Sequence, residues 1–225
     1  MSMPVNIAFV DLKAQQTRLK SQIDKRMAGV LEHGQYIMGP EVAEFEAALA
    51  EFAGVRESVG VANGTDALHI ALMAEEIGPG DAVFLPSFTF TATAEVVLLR
   101  GAEPIFCEVD GRTFNIDTTD LREKVRVVRE KGLLRPRAVV AVDLFGLPAD
   151  YATLTELCRS EELFLLADAA QSWGASLGSN RVGTLATVTA TSFFPAKPLG
   201  CCGDGGALTT NNPDRAAPHE NKLIA

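Results

Sequence analysis

The chain has 225 residues, 47% of them hydrophobic and 22% charged, which is enough apolar material for one well-cored domain, or one and a fraction, and too much for a disordered chain. Its formal net charge is -9 and no basic stripe or Lys/Arg block interrupts it, which argues against a footprint for nucleic-acid phosphates. No uncharged apolar run approaches membrane-spanning length, and the N-terminus "MSMPVNIAFVDLKAQQ" lacks a basic segment followed by an apolar core, so the expectation is a cytoplasmic protein with no membrane partner.

In chain order, Asp11 can cap a helix whose apolar face includes Leu19, Ile23, Met27, Val30 and Leu31 and which ends at Gly34. Pro40 opens a second helix, with Val42, Phe45, Leu49 and Phe52 at helical spacing before Gly54 stops it. Short apolar runs follow at "SVGVA", "AVFLP", "PIFCEV", "AVVAV", "LFLLA" and "TVTAT", most of them bridged by helical segments such as Thr119 to Glu130, where Leu121, Val125 and Val128 face inward. This is the βα rhythm of a mostly parallel sheet covered on both faces, an α/β fold. There is no internal repeat or low-complexity linker, and "GPGD" and "GLPAD" read as turns between elements. Cys107, Cys158, Cys201 and Cys202 form no CxxC pair and read as reduced, mostly buried thiols, which leaves the Asn63-Gly64-Thr65 sequon idle.

In an open α/β sheet, ligands gather outside the carboxyl ends of the strands. The distinctive polar residues fall there, in four loops that can converge on one cleft: Asn63-Gly64-Thr65-Asp66 after "SVGVA", "SFTFTATAE" after "AVFLP", "DAAQS" after "LFLLA", and "SFFPAK" after "TVTAT". Gly64 and Thr65 offer backbone N–H groups and a hydroxyl at a helix N-terminus, a seat for a phosphate dianion or a helix cap made by Asn63 or Thr65. Phe90 can present a flat face to an aromatic ring or join the core. Asp168 follows five apolar or small residues, so its carboxylate should need a cationic or hydrogen-bonding partner, or else serve as a helix cap over "AAQS"; Asp143, after "AVVAV", is a similar candidate. Lys197 is the one cation in the run "SFFPAKPLGCCGDGG", where apolar neighbours and backbone-fixing prolines can desolvate an amine for Schiff-base chemistry, against the alternative of a plain surface lysine. A phosphate seat, an aromatic face, an acidic partner and a lysine are together what pyridoxal phosphate needs.

Other chemistries fit less well. Gly174, Ser176 and Gly178 match a G-x-S-x-G pattern, but "GSNRVGT" follows as a loop where a nucleophile elbow needs a helix. No G-x-G-x-x-G follows the first strand, there is no G-x-x-x-x-G-K-[ST], and His33, His69 and His219 lack metal-ligand spacing.

The segments "HGQYIMGPEVAEFE", "ANGTDALHIAL", "PSFTFTATAE", "DAAQSWGA" and "SFFPAKPLGCCGDGGA" together resemble the DegT/DnrJ/EryC1/StrS family of nucleotide-sugar aminotransferases, over about residues 5 to 212. The nearest subgroup aminates C3 of UDP-2-acetamido-2-deoxy-3-oxo-glucuronate on the route to lipopolysaccharide O-antigen sugars. The resemblance implies the large domain of a fold type I enzyme dependent on pyridoxal 5'-phosphate. It implies that Lys197 holds the cofactor as an imine and then moves the substrate proton, that Asp168 keeps the pyridine nitrogen protonated, and that Gln171 lies near the phenolic oxygen. It also implies that Phe90 lies against the ring, that Gly64, Thr65 and Ser192 surround the phosphate, and that Gly34 and Tyr36 contact the sugar nucleotide. A ping-pong exchange between L-glutamate and a UDP-keto-sugar, in a homodimer, follows from the same likeness; relatives with histidine at the lysine position act as dehydratases, which Lys197 argues against. Ala196 stands where the subgroup often has serine, which leaves the sugar open. Relatives continue into a small C-terminal domain, whereas residues 213–225 resemble nothing expected there, so the division is 1–212 for the cofactor-binding part and 213–225 for an atypical tail. The alternative to an active enzyme is a truncated relative that keeps the fold without turnover.

Overall fold

In the computed structural model, which describes residues 7–213, the chain forms two compact units that divide after Phe45. Apart from its first residue, the tail set apart at 213–225 lies outside the described residues. The first unit holds α1, Leu12–His33, and the start of α2, Pro40–Ala53. Asp11 caps α1 by accepting the Ala14 N–H at 2.9 Å, and Gly34 ends it at φ 69° with its N–H on the Val30 carbonyl. The apolar face expected on α1 has the right spacing but is not buried: no residue of α1 is buried, and Met27 and Leu31 are exposed. Periodicity specifies which side of a helix is apolar and does not supply the surface that covers it. In α2 the buried residues are Leu49 and Ala53, while Phe45 and Phe52 remain partly exposed.

The second unit is built on a seven-stranded sheet in the order β1-β9-β8-β5-β4-β2-β3. Its strands are β1 Glu57–Val61, β2 Asp81–Pro86, β3 Glu103–Cys107, β4 Arg135–Val142, β5 Phe164–Asp168, β8 Val188–Ser192 and β9 Gly206–Thr210; the short pair β6 Ser176–Leu177 and β7 Asn180–Arg181 makes a separate hairpin. Within the seven-stranded sheet all pairings are parallel except those of β9, which runs antiparallel to both β1 and β8. The six apolar runs all became strands, and β9 is the strand that the sequence pattern did not signal, because "GALTT" is small and polar. The hairpin β6–β7 occupies the segment after Ser176, so no helix follows that serine, as a nucleophile elbow would require.

The strands are apolar on both sides because helices cover both sides. Val83, Leu85, Val140, Leu166 and Leu208 pack with α3, Gly64–Ala74, and α4, Ala92–Leu99, whereas Phe84, Val139, Ala141, Leu165 and Ala167 pack with α5, Thr118–Lys131, and α6, Tyr151–Ser160. Alternate residues of one strand thus enter opposite cores, the period of two expected of a pleated strand. Asp117 caps α5 by accepting from Thr119 and Asp120, and Gly132 closes it at φ 64°. Cys107 and Cys158 sit inside this second core, where burial pushes both thiols up to about 12; Cys201 is only half-buried and Cys202 is exposed, contrary to the expectation for those two.

Two features bring the carboxyl edge of the sheet together. β9 starts at that edge, and a Cβ on Gly206 would lie 2.4 Å from the Asn63 carbonyl oxygen; a Cβ on Gly64 would lie 2.6 Å from Ser192 Cβ. Only glycine lets the N-terminus of α3 settle against the ends of β8 and β9. The second feature is Asp143, fully buried past the end of β4. Its carboxylate accepts from Ser172 Oγ at 2.7 Å, Tyr151 OH at 2.8 Å and the Ala149 N–H at 2.9 Å, and its own N–H donates to the Asp168 carbonyl at 3.1 Å. Desolvation raises this carboxyl from the ordinary 3.8 to about 6 despite those three donors.

Gly206→Ala is expected to destabilise the fold by about 2–3 kcal/mol, since the clash is with backbone that cannot rotate away. Gly111→Ala, where a Cβ meets nothing within 4 Å, should leave the urea midpoint unchanged; equal midpoints for the two variants would contradict the packing. For Asp143 the sign follows from the raised value. Below about pH 4 the group is protonated in both folded and unfolded chains and costs nothing; as pH rises through about 6 the folded chain must carry a disfavoured charge, so stability falls over that interval. Asp143→Asn, which stays neutral, should therefore gain on the parent by about 3 kcal/mol between pH 4 and pH 7. Urea titrations of both proteins across that range measure it, and a constant difference would refute it.

Candidate active site

One cavity of about 420 Å³ opens at the carboxyl edge of the sheet, within the second unit, and Gly64, Thr65, Phe90, Asp168, Gln171, Ser192 and Lys197 all line it. These residues come from four places at the sheet's carboxyl edge: the start of α3 after β1, the loop after β2, and the ends of β5 and β8 with the loops that follow them. Gly34 and Tyr36 belong to the first unit, where Gly34 is the cap of α1 and Tyr36 is exposed.

At the N-terminus of α3, Asn63 is the cap: its side-chain oxygen accepts the Asp66 N–H at 2.7 Å and its carbonyl takes the Ala67 N–H at 3.1 Å. Capping by Asn63 does not use Gly64 and Thr65, whose N–H groups lie in the first turn, where a helix has no carbonyl to offer them. Both face the cavity, with the positive end of the helix dipole behind them. Ser192 Oγ accepts the Phe194 N–H at 3.2 Å, which leaves its hydroxyl hydrogen to donate, and the close fit of Gly64 on Ser192 puts that hydroxyl beside the helix end. Backbone donors and hydroxyls around a helix N-terminus form an anion site.

Asp168 is the last residue of β5, 7% exposed, and its Oδ2 accepts from Thr93 Oγ1 at 2.9 Å while Oδ1 accepts the Ala170 N–H at 3.2 Å. Burial raises its pKa; the two hydrogen bonds and the charge of Lys197 pull the other way without cancelling it. The partner expected from sequence is thus Thr93, a residue not singled out among the threonines of "SFTFTATAE". A carboxylate this buried, served by neutral donors and open to a cavity, is suited to a cation arriving from that cavity.

Lys197 is half-buried, and its neighbours Ala196, Pro198 and Leu199 are exposed, so the apolar run does not enclose the amine as expected. Its backbone N–H bonds to the Phe194 carbonyl at 2.8 Å, a turn that a Cβ on Gly200, 2.2 Å from the Pro195 carbonyl oxygen, would break. Phe90 is 68% exposed and therefore not core; its ring is available at the cavity wall. Gln171 Oε1 accepts the Phe145 N–H at 2.8 Å. Asn63, Thr89 and Asp204 also line the cavity and were not anticipated as site residues. Among the described residues no group of three His, Cys, Asp or Glu could hold a metal ion, and no helix is long and apolar enough to cross a membrane.

Comparison with known proteins accounts for this arrangement. The model of the DegT/DnrJ/EryC1/StrS aminotransferase family matches residues 17–220. The chain is 47% identical over 210 residues to a UDP-2-acetamido-2-deoxy-3-oxo-D-glucuronate aminotransferase of Pseudomonas aeruginosa, covering 93% of this chain and 56% of that enzyme, so it spans about half the length of such relatives. Among solved structures it is similar to a DegT DnrJ EryC1 StrS aminotransferase from Brucella abortus (48% identity, TM-score 0.91, 93% of this chain and 56% of that one). S. venezuelae DesV, solved in complex with a ketimine intermediate, is 39% identical with a TM-score of 0.87 over 92% of this chain and 54% of its own. The Bacillus subtilis protein ntda, solved with bound cofactor PMP, is 27% identical with a TM-score of 0.81 over 94% of this chain and 46% of its own. With a family model spanning most of its length, a seven-stranded sheet of the same architecture and a lysine and a buried aspartate in one cavity, this chain belongs to the DegT/DnrJ/EryC1/StrS aminotransferase family.

Proposed function

We propose that this chain supplies the cofactor-binding part of a pyridoxal-phosphate-dependent aminotransferase acting on a keto-sugar nucleotide. The observation that carries the reading is the convergence of Lys197, Asp168 and the N-terminus of α3 in a single cavity. The residues fit the cofactor: an anion site for its phosphate, a buried carboxylate lacking a bonded cation for its ring nitrogen, an exposed phenyl face for its ring, and an amine for its aldehyde. When bound, pyridoxal phosphate supplies an electron sink through its protonated ring. Gly64, Thr65 and Ser192 hold the phosphate, Phe90 covers a ring face, and Gln171 meets the phenolic oxygen. Asp168 keeps the ring nitrogen protonated, which also relieves its own burial. Lys197 would supply the amine that holds the aldehyde and would carry the proton at the reacting carbon.

For the substrates, the 47%-identical relative, named for a UDP-3-oxo-sugar, supports such a sugar as acceptor. The family resemblance of the sequence adds L-glutamate as donor, Gly34 and Tyr36 as contacts to the sugar nucleotide, and a product destined for bacterial surface polysaccharide such as O-antigen. A homodimer in the cytoplasm completes the reading.

Borohydride reduction of the protein with added pyridoxal phosphate is expected to fix the cofactor on the peptide containing Lys197, and label on another lysine would overturn the assignment. Thr65→Val should weaken cofactor retention roughly tenfold, the loss of one hydrogen bond to a charged group. In the whole enzyme, Asp168→Ala should instead abolish the spectral response to glutamate even at saturating cofactor. Equal, mild losses in the two variants would show the roles to be wrong.

A further inference from the structure

Gln171 has one acceptor and one donor end, and the structure assigns which end faces the cavity. Its Oε1 lies 2.8 Å from the Phe145 backbone nitrogen, which can only donate, so the amide orientation is settled by its partner and the Nε2 donor is the end left for the cavity that Gln171 lines. Phe145 points its N–H there from an unusual conformation, φ 57° and ψ 18°, the left-handed region that a bulky side chain rarely occupies. Two contacts hold it: its ring packs edge-on against Phe88 and Phe114, with centroids 6.5 and 5.9 Å away, and a Cβ on the next residue, Gly146, would lie 3.1 Å from the Gln171 carbonyl oxygen. Strain at a single residue persists only where its surroundings over-determine it.

Beneath this turn lies Asp143. One of its carboxylate oxygens takes Ala149 N–H and Tyr151 OH, at the far end of the turn that carries Phe145; the other takes Ser172 Oγ, on the residue after Gln171. Its backbone N–H holds the Asp168 carbonyl. The titratable groups facing it are Tyr151 from α6 and Asp168 from β5. A single buried side chain thus joins the end of the turn that carries Phe145 to the residue that follows Gln171.

We propose that Asp143 is a positioning residue: by tying the turn at 144–149 to Ser172 it holds the Gln171 amide with only its donor end toward the cavity, so that this point of the site selects a ligand oxygen that accepts. The part that concerns ligand rests on the cofactor reading, in which that oxygen is the phenolic one.

Two measurements test the two parts separately. In the protein without cofactor, NMR hydrogen exchange should show the Phe145 amide exchanging at least tenfold faster in Asp143→Ala, Ser172→Ala and Gln171→Ala, and at the parental rate in Asp143→Asn, whose amide oxygen still accepts from Ala149 and Tyr151 and whose NH2 can donate to Ser172 Oγ in place of accepting from it. Pyridoxal phosphate affinity is then read from the fluorescence of Trp173, the chain's single tryptophan. Asp143→Ala and Gln171→Ala should each weaken binding about fivefold and the double variant no further, because one acts through the other; a merely structural contribution would instead multiply. Unchanged Phe145 exchange in Asp143→Ala and Ser172→Ala overturns the positioning role whatever the cofactor does, and multiplied losses in the double variant overturn its route through Gln171. Exchange altered as expected, with pyridoxal phosphate bound by neither the parent nor any variant, overturns the cofactor reading and supports the clamp.

Discussion

Asp168 is a carboxyl group at the end of a strand whose residues are all buried, and the hydrogen bonds it accepts come from neutral groups, a threonine hydroxyl and a backbone amide. Such a carboxylate costs more in the folded chain than in water unless something positive comes to it. The layered architecture makes its placement unavoidable. With helices on both faces, the strands are mostly apolar, and every parallel strand delivers its last residue to the same edge. Thr65, Gln171, Ser192 and Lys197 are gathered there for the same reason, each on the loop that leaves a strand or opens the helix after it.

Gathering loops at one edge does not by itself make a site; they must also approach closely. Here the approach is set by absent side chains. Gly64 against Ser192 and Gly206 against Asn63 let three loops touch at backbone distance, which puts the donors of the first turn of α3 beside the Ser192 hydroxyl. β9 contributes to this through its direction: as the one strand running backwards, it begins where the others end, so Gly206 is at the site and not at the opposite edge.

Much of this was legible in the residues. Six apolar runs of strand length, separated by capped amphipathic segments, specify a doubly covered sheet, and the rule that ligands gather at the carboxyl ends turns four loop sequences into one cleft. The seven residues named for the cofactor do line one cavity. What escaped the sequence depends on tertiary partners. "GALTT" has no apolar pattern and is a strand because β1 and β8 flank it. Thr93 differs from its neighbouring threonines only in facing Asp168. Lys197 sits among apolar residues in the sequence, yet Ala196, Pro198 and Leu199 beside it are exposed, and the apolar stripe of α1 carries no information about what would cover it.

Asp143 and Asp168 show how environment divides identical groups. They stand at the ends of adjacent parallel strands, Val142 in register with Asp168, and burial raises both. Asp143 is answered by three donors from the protein and is closed off, so its role is internal: it holds turns. Asp168 is answered by two and opens on the cavity, so its remaining capacity is directed at a ligand. The charge of Asp168 is itself one cause of the elevation at Asp143. The carboxylate that opens on the cavity and the carboxylate that ties together the turns beside it therefore differ in task because the protein answers the second with more donors than the first and encloses it.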